Sequence, residues 1–174
     1  SVLSVIALIL MLLDFPLWFI PTFLKFDISD VPALIGSFAL GPMAGVLVQL
    51  VKNLLNLLIE GSGTGGVGEL ANFIVGSIYV YIACLFYYRD KTFKNAIIGM
   101  AAGVLVMTIS ISLINYYFMI PFYAKLFGLP IDKIVAMGSA VNKYVVDFKT
   151  LILYAVVPFN LFKGIIVTLV TLLM

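Results

Sequence analysis

Three polar residues stand inside runs that are otherwise apolar. Asn160 and Lys163 lie three apart in Val157-Pro158-Phe159-Asn160-Leu161-Phe162-Lys163-Gly164, a spacing that puts both on one face of a helix. Asn115 lies in a separate run, Leu113-Ile114-Asn115-Tyr116-Tyr117. An asparagine amide carries two N–H donors and an acceptor, and an ammonium carries three donors. Two amides and one ammonium can therefore read the edge of a planar heterocycle bearing carbonyls and ring nitrogens. Pro158 removes a backbone donor and favours a kink, which opens room beside a ligand. Each of the three residues also has a plainer use as a polar contact between helices. Tyr116, Tyr117 and Phe118 fit a lipid–water interface as readily as a pocket. Lys163 is followed by eleven residues, mostly apolar, so it needs a nearby partner or must snorkel upward.

A second polar group comprises Gln49, Lys52, Asn53 and Asn56, followed by Gly68-Glu69-Leu70-Ala71-Asn72-Phe73. Asn53 and Asn56 share a face. Lys52 is expected to pair with Glu69 or Glu60 near one membrane face, and Glu69 suits a helix start. This group reads first as structure and second as part of a cavity wall.

The elements that must carry these residues follow from composition. Of 174 residues, 64% are hydrophobic and 10% charged, and the mean hydropathy is +1.23. Soluble domains run near half apolar and about a quarter charged, so most of this surface must face lipid or other buried helices. Disorder and a disulfide scaffold are excluded. A formal charge of +2 leaves no basic surface for nucleic acid. The chain has no histidine, and Cys84 is its single cysteine, which excludes His-dependent triads, zinc and copper sites and internal disulfides. Cys84 lies in an apolar run and reads as packing.

Breaks in the apolar pattern define six segments in one all-helical domain, 1–174: 1–19, a short 31–40, 43–59, 69–88, 95–120 and 151–174. Roughly 20 apolar residues span a bilayer, so 31–40 is too short to cross alone. Asp30 can cap that segment and Pro32 suits its first turn. Gly41-Pro42 breaks the chain. The stretch 60–68 holds five of the 14 glycines and reads as a surface loop. Segment 95–120 is expected to end before Pro121, and 122–150 is the most polar stretch. Basic residues slightly favour the long loop (Lys125, Lys133, Lys143, Lys149) over the loop with Arg89, Lys91 and Lys94 as the cytoplasmic one. The chain opens on an apolar run without a basic leader or cleavage site, an opening expected where further residues precede it. Ser1, Ser4 and Ala7 form a small-residue stripe, suited to packing within the protein or to docking on another membrane subunit. Gly99, Ala102 and Gly103 also allow close helix approach.

Taken in order, Phe15-Pro16, Asp27-Ile28-Ser29-Asp30-Val31-Pro32-Ala33-Leu34, Gly41-Pro42-Met43-Ala44-Gly45 and Val51-Lys52-Asn53-Leu54-Leu55-Asn56 resemble the riboflavin-specific S component of energy-coupling-factor vitamin transporters. Gly68-Glu69-Leu70-Ala71-Asn72-Phe73, Leu113-Ile114-Asn115-Tyr116 and Pro158-Phe159-Asn160-Leu161-Phe162-Lys163-Gly164 continue the match over nearly the whole chain. The resemblance implies a six-helix substrate-binding subunit of the prokaryotic cytoplasmic membrane, without catalysis or cofactor. It implies a riboflavin site near the extracellular side, under the loop between helices one and two and beside the loop between helices five and six. Asn115, Asn160 and Lys163 would hydrogen-bond the isoalloxazine ring, and both termini would be cytoplasmic, against the basic-residue count. It further implies docking through small residues of helix one onto a transmembrane coupling subunit that carries two ATPases. Ser1, Ser4 and Ala7 recur every three residues, whereas the family places alanines every four, and 122–150 is longer than the family loop. The chain has no Gly-rich loop ending in Lys-Ser or Lys-Thr, so a partner must hydrolyse ATP. Other readings are an S component for another vitamin, such as pantothenate or thiamine, or a structural membrane subunit. A membrane enzyme is disfavoured, because Asp14 and Glu69 share no visible face.

Overall fold

The structure is a computed structural model that describes residues 1–15, 24–63 and 65–174. Seven helices run through them: α1 (Val2–Leu12), α2 (Asp30–Leu40), α3 (Pro42–Ile59), α4 (Val67–Asp90), α5 (Phe93–Leu126), α6 (Ile131–Ser139) and α7 (Phe148–Leu173). Helices α3, α4, α5 and α7 have the length and composition to cross a membrane, while α1 and α2 are shorter apolar helices of 11 residues. Each of the six expected segments carries a helix within the described residues. The first segment was expected to reach 19; its helix ends at Leu12, and Pro16 and the rest of that segment lie outside the described residues. Beyond α1, the Phe15 amide donates to the Phe26 carbonyl at 2.9 Å, joining the two ends of the first connection.

The chain turns from α2 into α3 at Gly41, whose φ of +107° is open to glycine, and Pro42 starts α3 where no intrahelical N–H is needed. This sharp turn folds α3 back on α2. A Cβ at Gly45 would stand 2.9 Å from the Ala33 carbonyl oxygen, so glycine sets the separation of these two helices. The same device joins α4 to α5, where Gly103 faces Tyr79 and Gly99 faces Ala83. Gly164 accommodates Val104 between α7 and α5, and the Tyr79 hydroxyl meets Thr168 Oγ1 at 2.8 Å, tying α4 to α7. The core between these helices holds Leu34, Val48, Tyr79, Met100, Val104 and Val167.

Ser4 and Ala7 are buried, and the Ser1 and Ser4 hydroxyls lie 3.0 Å apart, so this part of the small-residue stripe packs inside the protein. The outward residues of α1 are Val2, Val5, Ile6, Ile9 and Leu12. Cys84 is buried as expected, and its thiol donates to the Ser37 carbonyl at 2.9 Å.

Two expected boundaries move. Helix α5 does not stop before Pro121 but runs on to Leu126 through a π-helical turn, Asn115–Met119, in which the Ile120 amide donates to the Asn115 carbonyl. Helix α7 begins before 151, at Phe148, and passes through a second π-helical turn, Ile152–Val156, just ahead of Pro158. A proline leaves the carbonyl four residues back without its usual donor, and a wider turn absorbs that loss. For Pro158 that carbonyl is Tyr154, and Asn142 Nδ2 donates to it at 3.2 Å. The polar stretch is accordingly not all loop. It carries α6, packed by Ile134 and Val135 against Val145, Leu151 and Val156.

Candidate binding site

The site forms where α3 ends, α4 begins, and α5 and α7 each pass a π-helical turn. A cavity of about 740 Å³ opens there, and Asn115, Asn160 and Lys163 all line it. Glu60, Gly61 and Gly63 after α3, Phe127 and Leu129 after α5, and Lys25 and Asp27 before α2 line the same cavity. By the direction of the helices, Ser1 and Met174 lie at the opposite end.

Each asparagine is fixed by its own helix. Asn115 Nδ2 donates to the Ile111 carbonyl at 2.9 Å, and Asn160 Nδ2 donates to the Val156 carbonyl at 2.8 Å. Both side chains are nearly buried, at 9% and 7% exposure. One amide hydrogen is spent on the helix in each case, which holds the rotamer and leaves a second hydrogen and a carbonyl oxygen for a ligand. Met107, Ile111, Met119, Ile120 and Phe159 give the cavity apolar walls suited to a flat ring, and Asn56 and Asn72 add further amides.

Lys163 has found its local partner. Its ammonium lies 2.9 Å from Asp27 Oδ2 and 3.9 Å from Asp30 Oδ2. Lys52 lies 3.0 Å from Asp30 Oδ1 and donates to Ser29 Oγ at 2.9 Å, while Gln49 Nε2 donates to Asp30 Oδ1 at 2.7 Å. The Ser29 amide donates to Asp27 Oδ1 at 2.9 Å, and its hydroxyl donates to the same oxygen. Two lysines and two aspartates thus form a buried, charge-balanced cluster that pins the start of α2 to α3 and α7. Buried charge is tolerable only when paired and hydrogen-bonded in this way.

Two sequence expectations are corrected here. Lys52 pairs with Asp30 rather than with Glu69 or Glu60, because it is wholly buried and points toward α2. The Glu69 carboxylate instead accepts from the Ser62 hydroxyl at 2.8 Å. Asp30 is not the cap of α2: it occupies the first helical position after Ser29, and its carboxylate is taken by Lys52 and Gln49. Sequence reasoning singled out Asn115, Asn160 and Lys163 as site candidates and Gln49 and Lys52 as a structural polar group, but it missed Asp27 and Asp30 as the partners of the two lysines. The available signal was the unmet need of two membrane-buried lysines for carboxylates. At the cavity mouth Lys25 meets Asp14 at 2.8 Å, and this hydrogen bond holds its ammonium pKa above the ordinary value. Among the described residues no group of carboxylates and thiols is arranged to hold a metal ion.

The family model for the substrate-specific component of ECF transporters matches residues 1–174. The chain belongs to this family. It is 37% identical over 174 residues to a riboflavin transporter RibU of Staphylococcus aureus, covering 100% of this chain and 85% of that protein. It is 36% identical over 171 residues to a riboflavin transporter FmnP of Bacillus subtilis, covering 98% and 84%. A solved S component of a bacterial ECF transporter superposes with a TM-score of 0.78 at 36% identity, over 99% of this chain and 88% of that one. As an ECF substrate-specific component the chain is an integral protein of the bacterial cytoplasmic membrane, in a family of transporter subunits rather than enzymes.

Proposed function

We propose that this S component captures riboflavin for uptake, with Asn115, Asn160 and Lys163 reading the polar edge of the isoalloxazine ring. The observation that carries the proposal is convergence: residues from α5 and α7, 45 or more positions apart in sequence, line one cavity with apolar walls. Riboflavin is uncharged, flat and apolar at one ring edge, with carbonyls and an imide N–H at the other. The two amides and the paired ammonium complement the polar edge, and Met107, Ile111 and Phe159 complement the flat faces. Two riboflavin transporters at 36–37% identity support this choice over pantothenate, thiamine or a purely structural role.

Uptake needs an outward-facing cavity. With both termini cytoplasmic, the cavity end faces outside and the loop with Arg89, Lys91 and Lys94 faces the cytoplasm. Energy would come from a transmembrane coupling subunit bearing two ATPases, since this chain has no phosphate-binding loop of its own. Reorientation of the loaded subunit would then release the vitamin inside.

Binding is tested on the protein purified in detergent and stripped of flavin, by titration with riboflavin followed through quenching of flavin fluorescence. Saturable binding is expected, unaffected by excess pantothenate or thiamine. Asn160→Ala should weaken it by about tenfold or more, because a buried polar edge of the ligand loses its partner. Absence of riboflavin binding by well-folded protein, or displacement by another vitamin, would overturn the proposal.

A further inference from the structure

Lys163 does not meet the cavity as a free cation. Its side chain is 12% exposed, and the Asp27 carboxylate against it is 6% exposed. Asp27 belongs to the connection before α2, and both hydrogen bonds from Ser29 converge on its Oδ1. That arrangement leaves Oδ2 to hold the ammonium at 2.9 Å. Asp30 cannot replace it: its Oδ1 already accepts from Lys52 and Gln49, and its Oδ2 is 3.9 Å from Lys163. We infer that Asp27 is the positioning residue for ligand recognition, aiming the Lys163 ammonium at the ring edge while cancelling its charge. This inference rests on the reading that Lys163 meets the ligand.

The charge balance has a consequence for selectivity. Asp27, Asp30, Lys52 and Lys163 sum to zero, so the cluster presents Lys163 as a directed donor without net charge of its own. The other charged groups lining the cavity are Glu69 of α4, Glu60 beyond α3, and the paired Asp14 and Lys25 at the mouth; α5 contributes the neutral Asn115. An uncharged ring edge suits such a donor, and an anionic one gains nothing from it. One ammonium hydrogen goes to Asp27, which leaves two for a ligand carbonyl or ring nitrogen.

If Asp27 acts through Lys163, its effect must vanish when the ammonium is gone. The test is a double-mutant cycle on the full chain in detergent, with riboflavin dissociation constants for wild type, D27N, K163M and D27N/K163M. D27N should weaken binding by about tenfold in the wild-type background and by less than about twofold in the K163M background. The absorption spectrum of bound flavin should shift in D27N, because the ammonium moves relative to the ring, whereas a purely structural role leaves the spectrum unchanged. D27E, which keeps the charge, should return affinity to within about threefold of wild type, and it carries the test if K163M does not fold. An equal loss from D27N in both backgrounds, or wild-type affinity in D27N, overturns the inference. Unchanged binding by K163M itself refutes the role of Lys163 at the ligand, and the role of Asp27 with it.

Discussion

Replacing Lys52 by methionine tests the stabilising part of the buried cluster. Lys52 has no exposed surface and does not line the cavity, so the substitution removes no side chain proposed to touch the ligand. Methionine fills most of the volume of the lysine stem, which keeps the packing term small. What disappears is one ion pair at 3.0 Å and one hydrogen bond to Ser29 at 2.9 Å. The Asp30 carboxylate keeps Gln49 at 2.7 Å and the more distant Lys163 at 3.9 Å, and two aspartates then share a single ammonium. Breaking a buried pair by removing one partner costs about 3–5 kcal/mol, and the remaining amide bond and Lys163 argue for the lower end, about 3 kcal/mol. At roughly 2–4 °C per kcal/mol for a chain of this length, the melting temperature should fall by about 6–12 °C. The assay is thermal unfolding of flavin-free protein in detergent. K52M/D30N, which removes both charges, should recover at least about half of the loss, since neutral replacements of buried pairs often come near to break-even. A K52M protein melting within about 2 °C of wild type would refute the reasoning, because Asp30 would then be shown to tolerate burial without its lysine.

Two further outcomes probe the scaffold. Gly103→Leu should abolish recovery of monodisperse protein in detergent gel filtration, because even a Cβ there would stand 2.9 Å from the Tyr79 carbonyl oxygen and 2.8 Å from Tyr79 Cδ2. An outward change on the same helix, such as Leu105→Ala, should leave recovery unchanged. At the start of α7, Asp147 accepts from the Thr150 amide at 2.7 Å, which with the Thr150 hydroxyl holds its carboxyl below the usual carboxylate pKa. A depressed folded-state pKa means a contribution present above the unfolded value and lost as pH falls through the folded one. Asp147→Ala should therefore speed hydrogen exchange of the Thr150 amide at pH 6, with the difference from wild type closing below about pH 4.

The parts of this molecule legible in its sequence are those that a single physical constraint dictates. Lipid leaves the backbone no partner but itself, so long apolar runs must be helices, and the six runs are helical wherever they are described, apart from the short stretch after Leu12. Asn115, Asn160 and Lys163 stand out for the same reason, as costly exceptions to the solvent. The boundary at Pro121 shows where this logic stops. A proline read alone ends a helix, but here a π-helical turn just before it absorbs the missing hydrogen bond, and the same turn carries Asn115 at its start.

The charged cluster is harder to read because its pairs are separated by 22 and 136 positions, and no periodicity ranks carboxylates at such distances. Glu60 and Glu69 are nearer to Lys52 in sequence than Asp30, yet Glu60 is exposed and Glu69 accepts from the Ser62 hydroxyl, while Lys52 is wholly buried against α2. Asp27 and Asp30 stand at the start of α2, one of the two apolar helices of 11 residues that are too short to cross a bilayer alone. A short helix starts inside the protein, and carboxylates at its N-terminal end are carried to a depth where they require cationic partners and gain from the helix dipole. The shortness of α2 is thus what brings two aspartates within reach of Lys52 and Lys163, and through Lys163 it reaches the wall of the binding cavity.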